Sequence, residues 1–168
     1  MANAQELAVK WHRLVFDRDM VQAWGMMTDD FRRVIAYGLI DGDQLSAEEV
    51  DALVEALSEA YPSHANSQAF FNLASDFLQK ACAVGPESVG IGETVRFEAP
   101  AYEVVRLYVI EDLETDAAGR RYLPSGRQAR ALTLITSAEG PGPQVAGVGW
   151  VMKPGRPPTV YWEPSAEV

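Results

Sequence analysis

Cysteine and histidine are almost missing from this sequence of 168 residues, in which Cys82 is the only cysteine and His12 and His64 are the only histidines. One cysteine excludes an intrachain disulfide and a metal site built from several cysteines. Cys82 ends an apolar helical face, so we expect a buried, unreactive thiol. His12 lies roughly 140° around an ideal helix from Leu7 and should face solvent. We predict no catalytic histidine, no bound metal and no cofactor, because no nucleophile, metal or nucleotide motif surrounds these residues.

Basic residues are also few, with 14 Lys and Arg against 24 Asp and Glu and a net charge of −10 at pH 7. Nucleic acids and anionic membranes attract clustered Lys and Arg, so neither is an expected partner. The longest uncharged runs, 131–138 and 140–152, are too short or too rich in Gly and Pro to cross a bilayer. The first residues lack the basic and apolar stretches of a signal peptide. We expect an acidic, soluble, cytoplasmic protein, and the excess of Arg over Lys indicates a bacterial source.

The two halves of the chain differ in pattern and together predict a single domain over residues 1–168. Residues 1–84 show repeated 3.6-residue periodicity and contain one proline, whereas residues 85–168 contain nine of the 10 prolines and short runs of period two. Helices followed by strands predict an α+β fold, with a layer of helices packed on an antiparallel sheet.

Local signals mark where the helices begin and end. Capping boxes start at Asn3 and at Ser46, and Thr28 is a further N-cap. The helix that follows Ser46 is expected to run to Tyr61, because the residue before Pro62 is disfavoured in a helix.

Five strands are predicted in the second half, and the segment Asp116 to Gly119 is the tip of a hairpin. On the second strand, Val105 and Val109 share a face suited to packing under helices. The opposite face carries Arg106 and Tyr108, a mixture typical of an interface or a semi-polar pocket. The predicted strands are Val89–Phe97, Tyr102–Asp112, Ala129–Ser137, Gln144–Met152 and Thr159–Trp162.

The order of these elements resembles the nuclear transport factor 2-like superfamily, which includes the ketosteroid-isomerase-like proteins. The segment from Trp11 to Trp24 looks like the first helix, short break and second helix of that family. The segment from Met27 to Arg32 looks like its "leucine-x-aspartate-phenylalanine" phrase. The resemblance implies a cystatin-like cone, in which a curved half-barrel sheet wraps around the helices. It also implies an apolar pocket in the cone and a homodimer formed through the sheet.

Aromatic residues supply the candidate pocket. Isomerase-like members use a tyrosine of helix one and a pocket aspartate, but helix one has no tyrosine here, and residues 129–137 and 144–152 contain no Asp or Glu. A general base must be an ionisable group within reach of the substrate, so no catalytic residue is assigned. The candidate ligand-binding residues are Trp24, Tyr37, Phe71, Tyr108 and Trp150.

Three functions remain open from the sequence. The favoured one is a non-catalytic domain that binds a small apolar ligand or a partner protein in or on the cone. The second is an isomerase, cyclase or hydrolase acting on a hydrophobic molecule, with Asp41, Asp43 or Asp112 as its acid and Tyr37 or Tyr108 as donor. The third is a structural or regulatory dimerisation module whose core is filled by its own side chains.

Overall fold

The computed structural model of the protein describes residues 3–97, 102–122, 131–137 and 142–149. Helices come first and an antiparallel sheet follows, which confirms the α+β class. The helices are α1 (Ala4–Phe16), α2 (Met20–Gly25), α3 (Asp29–Leu39), α4 (Ala47–Ser58) and α5 (Ser67–Cys82). The strands are β1 (Val89–Phe97), β2 (Tyr102–Val109), β3 (Glu114–Thr115), β4 (Arg121–Tyr122), β5 (Ala131–Ser137) and β6 (Gln144–Gly149).

The predicted helix starts are confirmed by their caps. The side chain of Asn3 accepts the backbone N–H of Glu6 at 2.8 Å, and that of Ser46 accepts the backbone N–H of Glu49 at 3.3 Å. Both glutamates return a bond to the cap backbone, which completes each capping box. Thr28 caps α3 through its hydroxyl oxygen. These side chains satisfy N–H groups that have no partner within the helix.

Helix α4 ends earlier than the sequence predicts. Its last residue is Ser58, and Tyr61 lies outside the helix with 71% of its surface exposed. The Ser58 carbonyl accepts a hydrogen bond from Nε of Arg32 on α3, and the Ser58 hydroxyl donates to the carbonyl of Glu55 at 2.8 Å. The end of α4 is therefore fixed by a contact with another helix, which a proline signal does not reveal.

The main sheet contains four antiparallel strands in the order β1, β2, β5, β6, while β3 and β4 form a hairpin at the predicted tip. Val105 lies opposite Leu134 of β5, which lies opposite Val148 of β6. Strand β2 ends three residues before Asp112, because those residues form a 3₁₀ turn. Three predicted strand segments lie outside the described residues: 129–130, 150–152 and 159–162.

The helices cover one face of the sheet. Helix α1 contacts all four strands, and α3 and α5 pack against β6. The face of β2 that was predicted to lie under helices is confirmed, since Val105, Leu107 and Val109 are completely buried. Trp11 and Trp24 are also completely buried and are the two largest side chains of the core.

The expectation that His12 faces solvent is wrong, because only 1% of this residue is exposed. The buried face of α1 includes Ala8, and His12 lies only about 40° from Ala8 around the helix. Nε2 of His12 lies 2.9 Å from the carbonyl oxygen of Val84, and its ring packs edge-on against Phe16. Burial lowers the pKa of His12, and the bond to Val84 opposes this effect more weakly. The small residues Ala4 and Ala8 lie on this buried face. The prediction was wrong because it took the bulkier Leu7 as the reference for the buried face.

Candidate functional site

Two of the five pocket candidates, Trp24 and Phe71, meet in the core. Their ring centroids are 5.7 Å apart, and Trp24 is completely buried. The indole N–H of Trp24 lies 3.0 Å from the carbonyl oxygen of Leu57 and 3.0 Å from that of Glu59. This pair therefore joins α2 to α5 and to the end of α4.

The two tyrosine candidates lie apart from that pair. Tyr37 on α3 is 51% exposed and donates its hydroxyl to Asp51 at 2.7 Å, and this bond raises the pKa of Tyr37. Tyr108 lies on the face of β2 that points away from the helices, and its ring covers Gly92 of β1. The fifth candidate, Trp150, lies outside the described residues.

The candidate acids occupy turns. The side chain of Asp41 accepts the backbone N–H of Asp43 at 3.4 Å, and both residues are exposed at a short 3₁₀ turn. Asp112 lies in the 3₁₀ turn after β2. The hydroxyl of Tyr37, one of the proposed donors, is bonded to Asp51 instead. Within the described ranges, no three His, Cys, Asp or Glu side chains are arranged to hold a metal ion.

The remaining nucleophile and base candidates have structural roles. Cys82 is buried as predicted, and burial raises the pKa of its thiol well above the usual range. His64 accepts the backbone N–H of Asn66 through Nδ1 at 3.2 Å, just before α5 begins. Cys82 therefore belongs to the packed core, and His64 belongs to the turn before α5.

One edge of the main sheet is closed by the segment between α2 and α3. The backbone N–H of Val145 on β6 donates to the carbonyl of Met26 at 2.8 Å, and the N–H of Thr28 donates to the carbonyl of Val145 at 2.8 Å. The side chain of Gln144 adds a bond to the carbonyl of Met27 at 3.2 Å. The outer side of β6 is therefore partly hydrogen-bonded within the fold.

The opposite edge is β1, which pairs with β2 alone among the strands that the structure describes. Ile91 is 59% exposed and Val95 is 38% exposed on this strand. The register shifts between Ile91 and Thr94, so β1 contains a bulge at Gly92 and Glu93. A Cβ atom at Gly92 would lie 2.3 Å from the ring of Tyr108, so this close approach requires glycine.

A groove of about 500 Å³ runs between α1 and β1. Nε2 of Gln5 donates to the carbonyl of Gly92 at 3.3 Å and holds the bulge against the helix. Val9 and Ile91 give the groove an apolar surface, whereas Lys10 and Arg13 place two positive charges along it. The complete lining consists of Asn3, Gln5, Glu6, Val9, Lys10, Arg13 and Ile91.

The two cations of this groove have no carboxylate partner in the described part of the chain. Lys10 and Arg13 are both exposed, and they lie three residues apart on α1. The same lack of an ion pair within the described residues holds for Lys80 on α5 and Arg121 on β4. Ion pairs are formed by Arg18, Arg32, Arg33, Arg96, Arg106 and Arg120.

This groove is not among the predicted sites, because the alternation of side chains along a strand shows its faces and not its position in the sheet. Which strand lies at an edge depends on strand order, and that order is not encoded locally. Two signals were present nonetheless: an isolated apolar residue between Gly90 and Gly92, and two cations three residues apart on the polar face of α1.

No protein-family model matches the sequence, and no curated protein or solved structure matches it either. The resemblance to the nuclear transport factor 2-like superfamily and the cone therefore stay predictions. Within the described ranges, none of the helices has the length and apolar character needed to cross a membrane.

Proposed function

We propose that this protein is a non-catalytic binding domain that takes up an extended segment of a partner protein along β1, beside the groove formed with α1. The observation that carries the proposal is the contrast, among the residues that the structure describes, between the exposed β1 edge and the hydrogen-bonded β6 edge. An exposed edge strand presents unpaired N–H and C=O groups, and partner strands commonly add to such edges.

The groove supports the same proposal. Backbone pairing supplies affinity in strand addition, whereas neighbouring pockets that accept alternate side chains supply specificity. Ile91 offers an exposed apolar contact at the edge, and the bond from Gln5 to Gly92 keeps the bulged strand against α1. The site therefore combines an available strand with a shaped surface beside it.

The experiment uses short synthetic probes, about eight residues long, which is close to the usual length of a strand. Valine alternates with glutamate, serine or lysine in three separate peptides, and binding is followed through the backbone amide shifts of the nitrogen-15-labelled full chain. We expect at least one peptide to perturb the β1 amides most strongly. If none of the three peptides perturbs the β1 amides, the proposal is overturned.

A matched pair of variants locates the binding surface. Ile91→Lys places a charge on the exposed edge, which is a common natural device against strand addition. Leu73→Lys places the same charge on α5, where Leu73 is similarly exposed at 54%. For the uncharged serine peptide, loss of binding in the first variant and retention in the second are expected. Equal binding by both variants would contradict an edge site at β1.

A second candidate function, binding of a small apolar ligand inside the fold, is favoured by Trp11. This residue is completely buried, and within the described residues its Nε1 is the buried side-chain polar atom without a hydrogen-bond partner. Most buried donors have an acceptor, so an acceptor atom on a bound molecule beside Trp11 would satisfy this N–H.

Native mass spectrometry of the protein as purified tests the interior ligand, and it also tests whether the partner at β1 is a second copy of this chain. Extra small-molecule mass that is lost in Trp11→Phe would support the interior ligand, and a ligand-free chain would contradict it. A dimer in the same spectrum that Ile91→Lys dissociates would support the homodimer expected from the sequence. In that case the partner at β1 would be a second copy of this chain and not a different protein.

A further inference from the structure

We infer that the partner segment carries two acidic residues at alternating positions, and that Lys10 and Arg13 bind their carboxylates. This inference rests on the proposed strand addition at β1 and specifies the chemistry of its partner. It does not follow from strand addition itself, because backbone pairing is indifferent to the charge of the added segment.

The local charge of the groove favours an acidic partner. The chain has 24 acidic residues and a net charge of −10, yet the two cations of the groove have no carboxylate partner within the described residues. Glu6 is the acidic residue that lines the groove, and its carboxylate accepts the backbone N–H of Asn3 at 3.3 Å. A positive site is thus maintained in an otherwise acidic protein, and a matching negative group gives it a complement.

The spacing of Lys10 and Arg13 favours acids at alternating positions. Side chains three residues apart on a helix have Cβ atoms about 5–6 Å apart. Side chains that point to the same side of an extended strand are two residues apart, or about 6.6–6.8 Å. One acid for Lys10 and a second acid two positions away for Arg13 therefore fit an extended segment beside α1. Val9 and Ile91 line the same groove as the cations, so they would contact the methylene groups of these acidic side chains.

The test compares the glutamate and lysine peptides on the wild-type chain and on a charge-reversed variant, K10E/R13E. We expect the glutamate peptide to bind about threefold to tenfold more tightly than the lysine peptide, as two exposed ion pairs would produce. This preference should reverse in K10E/R13E. It should also shrink at about 1 M salt, where the screening length is only about 3 Å.

The matched control is K80E/R121E, which reverses the two other cations that have no ion pair in the described part of the chain. The net charge changes equally in both double variants, so a general electrostatic effect would alter them alike. Retention of the preference in K10E/R13E, or its equal loss in both variants, would overturn the inference. Binding of all three peptides at β1 without a charge preference would overturn it while strand addition remained supported. Absence of binding by every peptide would overturn strand addition itself.

The number of acids is tested with two further probes, one that keeps two glutamates at alternating positions and one that keeps a single glutamate, with serine in place of the other glutamates. Two carboxylates at alternating positions should bind more tightly than one, and this difference should disappear when either Lys10→Ala or Arg13→Ala is introduced. Equal affinity of the two peptides for the wild-type chain would contradict the paired arrangement.

Discussion

The two edges of the main sheet are finished in different ways. On the outer side of β6, the segment from Met26 to Thr28 exchanges backbone hydrogen bonds with Val145, which is completely buried. On the outer side of β1, Ile91 and Val95 are exposed and the strand contains a bulge. The β6 edge is part of the folded core, whereas no other strand that the structure describes covers the β1 edge.

The closed edge depends on an unusual residue, the buried Arg32. Only 7% of Arg32 is exposed, and its guanidinium donates to the carbonyls of Ser58, Trp24 and Met27. Two of those carbonyls belong to α2 and to the segment that closes β6. Burial lowers the pKa of Arg32, and the nearby charge of Asp29 partly opposes this effect. A buried cation of this kind is stable only when its donors are satisfied.

The largest expected effect follows from removing this residue. Arg32→Met should lower the free energy of unfolding by about 3 kcal/mol or more, because several buried carbonyls lose a charged donor at once. Urea denaturation measures the change. The neighbouring Arg33 forms exposed ion pairs with Asp29 and Glu55, so Arg33→Met should have a much smaller effect. Similar losses for the two variants would refute the role of Arg32 at the closed edge.

The bulge at the open edge gives the next largest effect. Gly92→Ala should destabilise the protein by about 1–3 kcal/mol, because its Cβ atom would meet the ring of Tyr108 and the backbone oxygen of Arg106. Gly90→Ala on the same strand is the control, since no atom lies within 4 Å of its Cβ position. Part of the loss should be recovered in G92A/Y108A. Equal stability of the two alanine variants would show that the close packing at Gly92 is unimportant.

A smaller, pH-dependent effect is expected at His12, which holds the chain just before β1 through Val84. The pKa of His12 is lower in the folded protein than the ordinary value of 6.5. The unfolded state therefore binds the proton first as the pH falls below 6.5, and stability decreases by up to about 1.4 kcal/mol per pH unit until the folded state also titrates. Above that pH, His12 contributes no slope.

His12→Gln isolates this contribution from that of the carboxylates. Unfolding free energies of the wild-type chain and the variant should change in parallel between pH 8 and pH 7, and their difference should change below about pH 6.5. A constant difference down to pH 5 would contradict the burial of a neutral imidazole.

Local structure was predictable from the sequence because its causes are local. The capping boxes at Asn3 and Ser46 involve residues three positions apart, and the hairpin at Asp116 depends on a short turn. The buried face of β2 followed from simple alternation. These signals determined the α+β class and most strand positions.

Long-range features were not predictable in the same way. The closure of β6 joins Gln144 to Met27 over 117 positions, and the end of α4 depends on Arg32 from α3. The open edge and its groove exist only once the strand order is known. His12 was misplaced because alanines contribute little to a periodicity signal although they define the buried face of α1. The candidate site could therefore not be predicted from residue spacing, although its individual residues could be recognised in the sequence.

The smallest expected effect on stability concerns Ile91 itself. Ile91→Lys should change the free energy of unfolding by no more than about 0.5 kcal/mol, because the side chain is 59% exposed and is surrounded by little of the core. Urea denaturation of this variant, compared with Leu73→Lys, should give nearly superimposable curves. The same variant is expected to lose strand addition, so an unchanged fold with a lost activity would separate binding from stability at this edge. A large loss of stability in Ile91→Lys alone would instead show that Ile91 is held by the fold, and β1 would then no longer differ from β6 as an accessible edge.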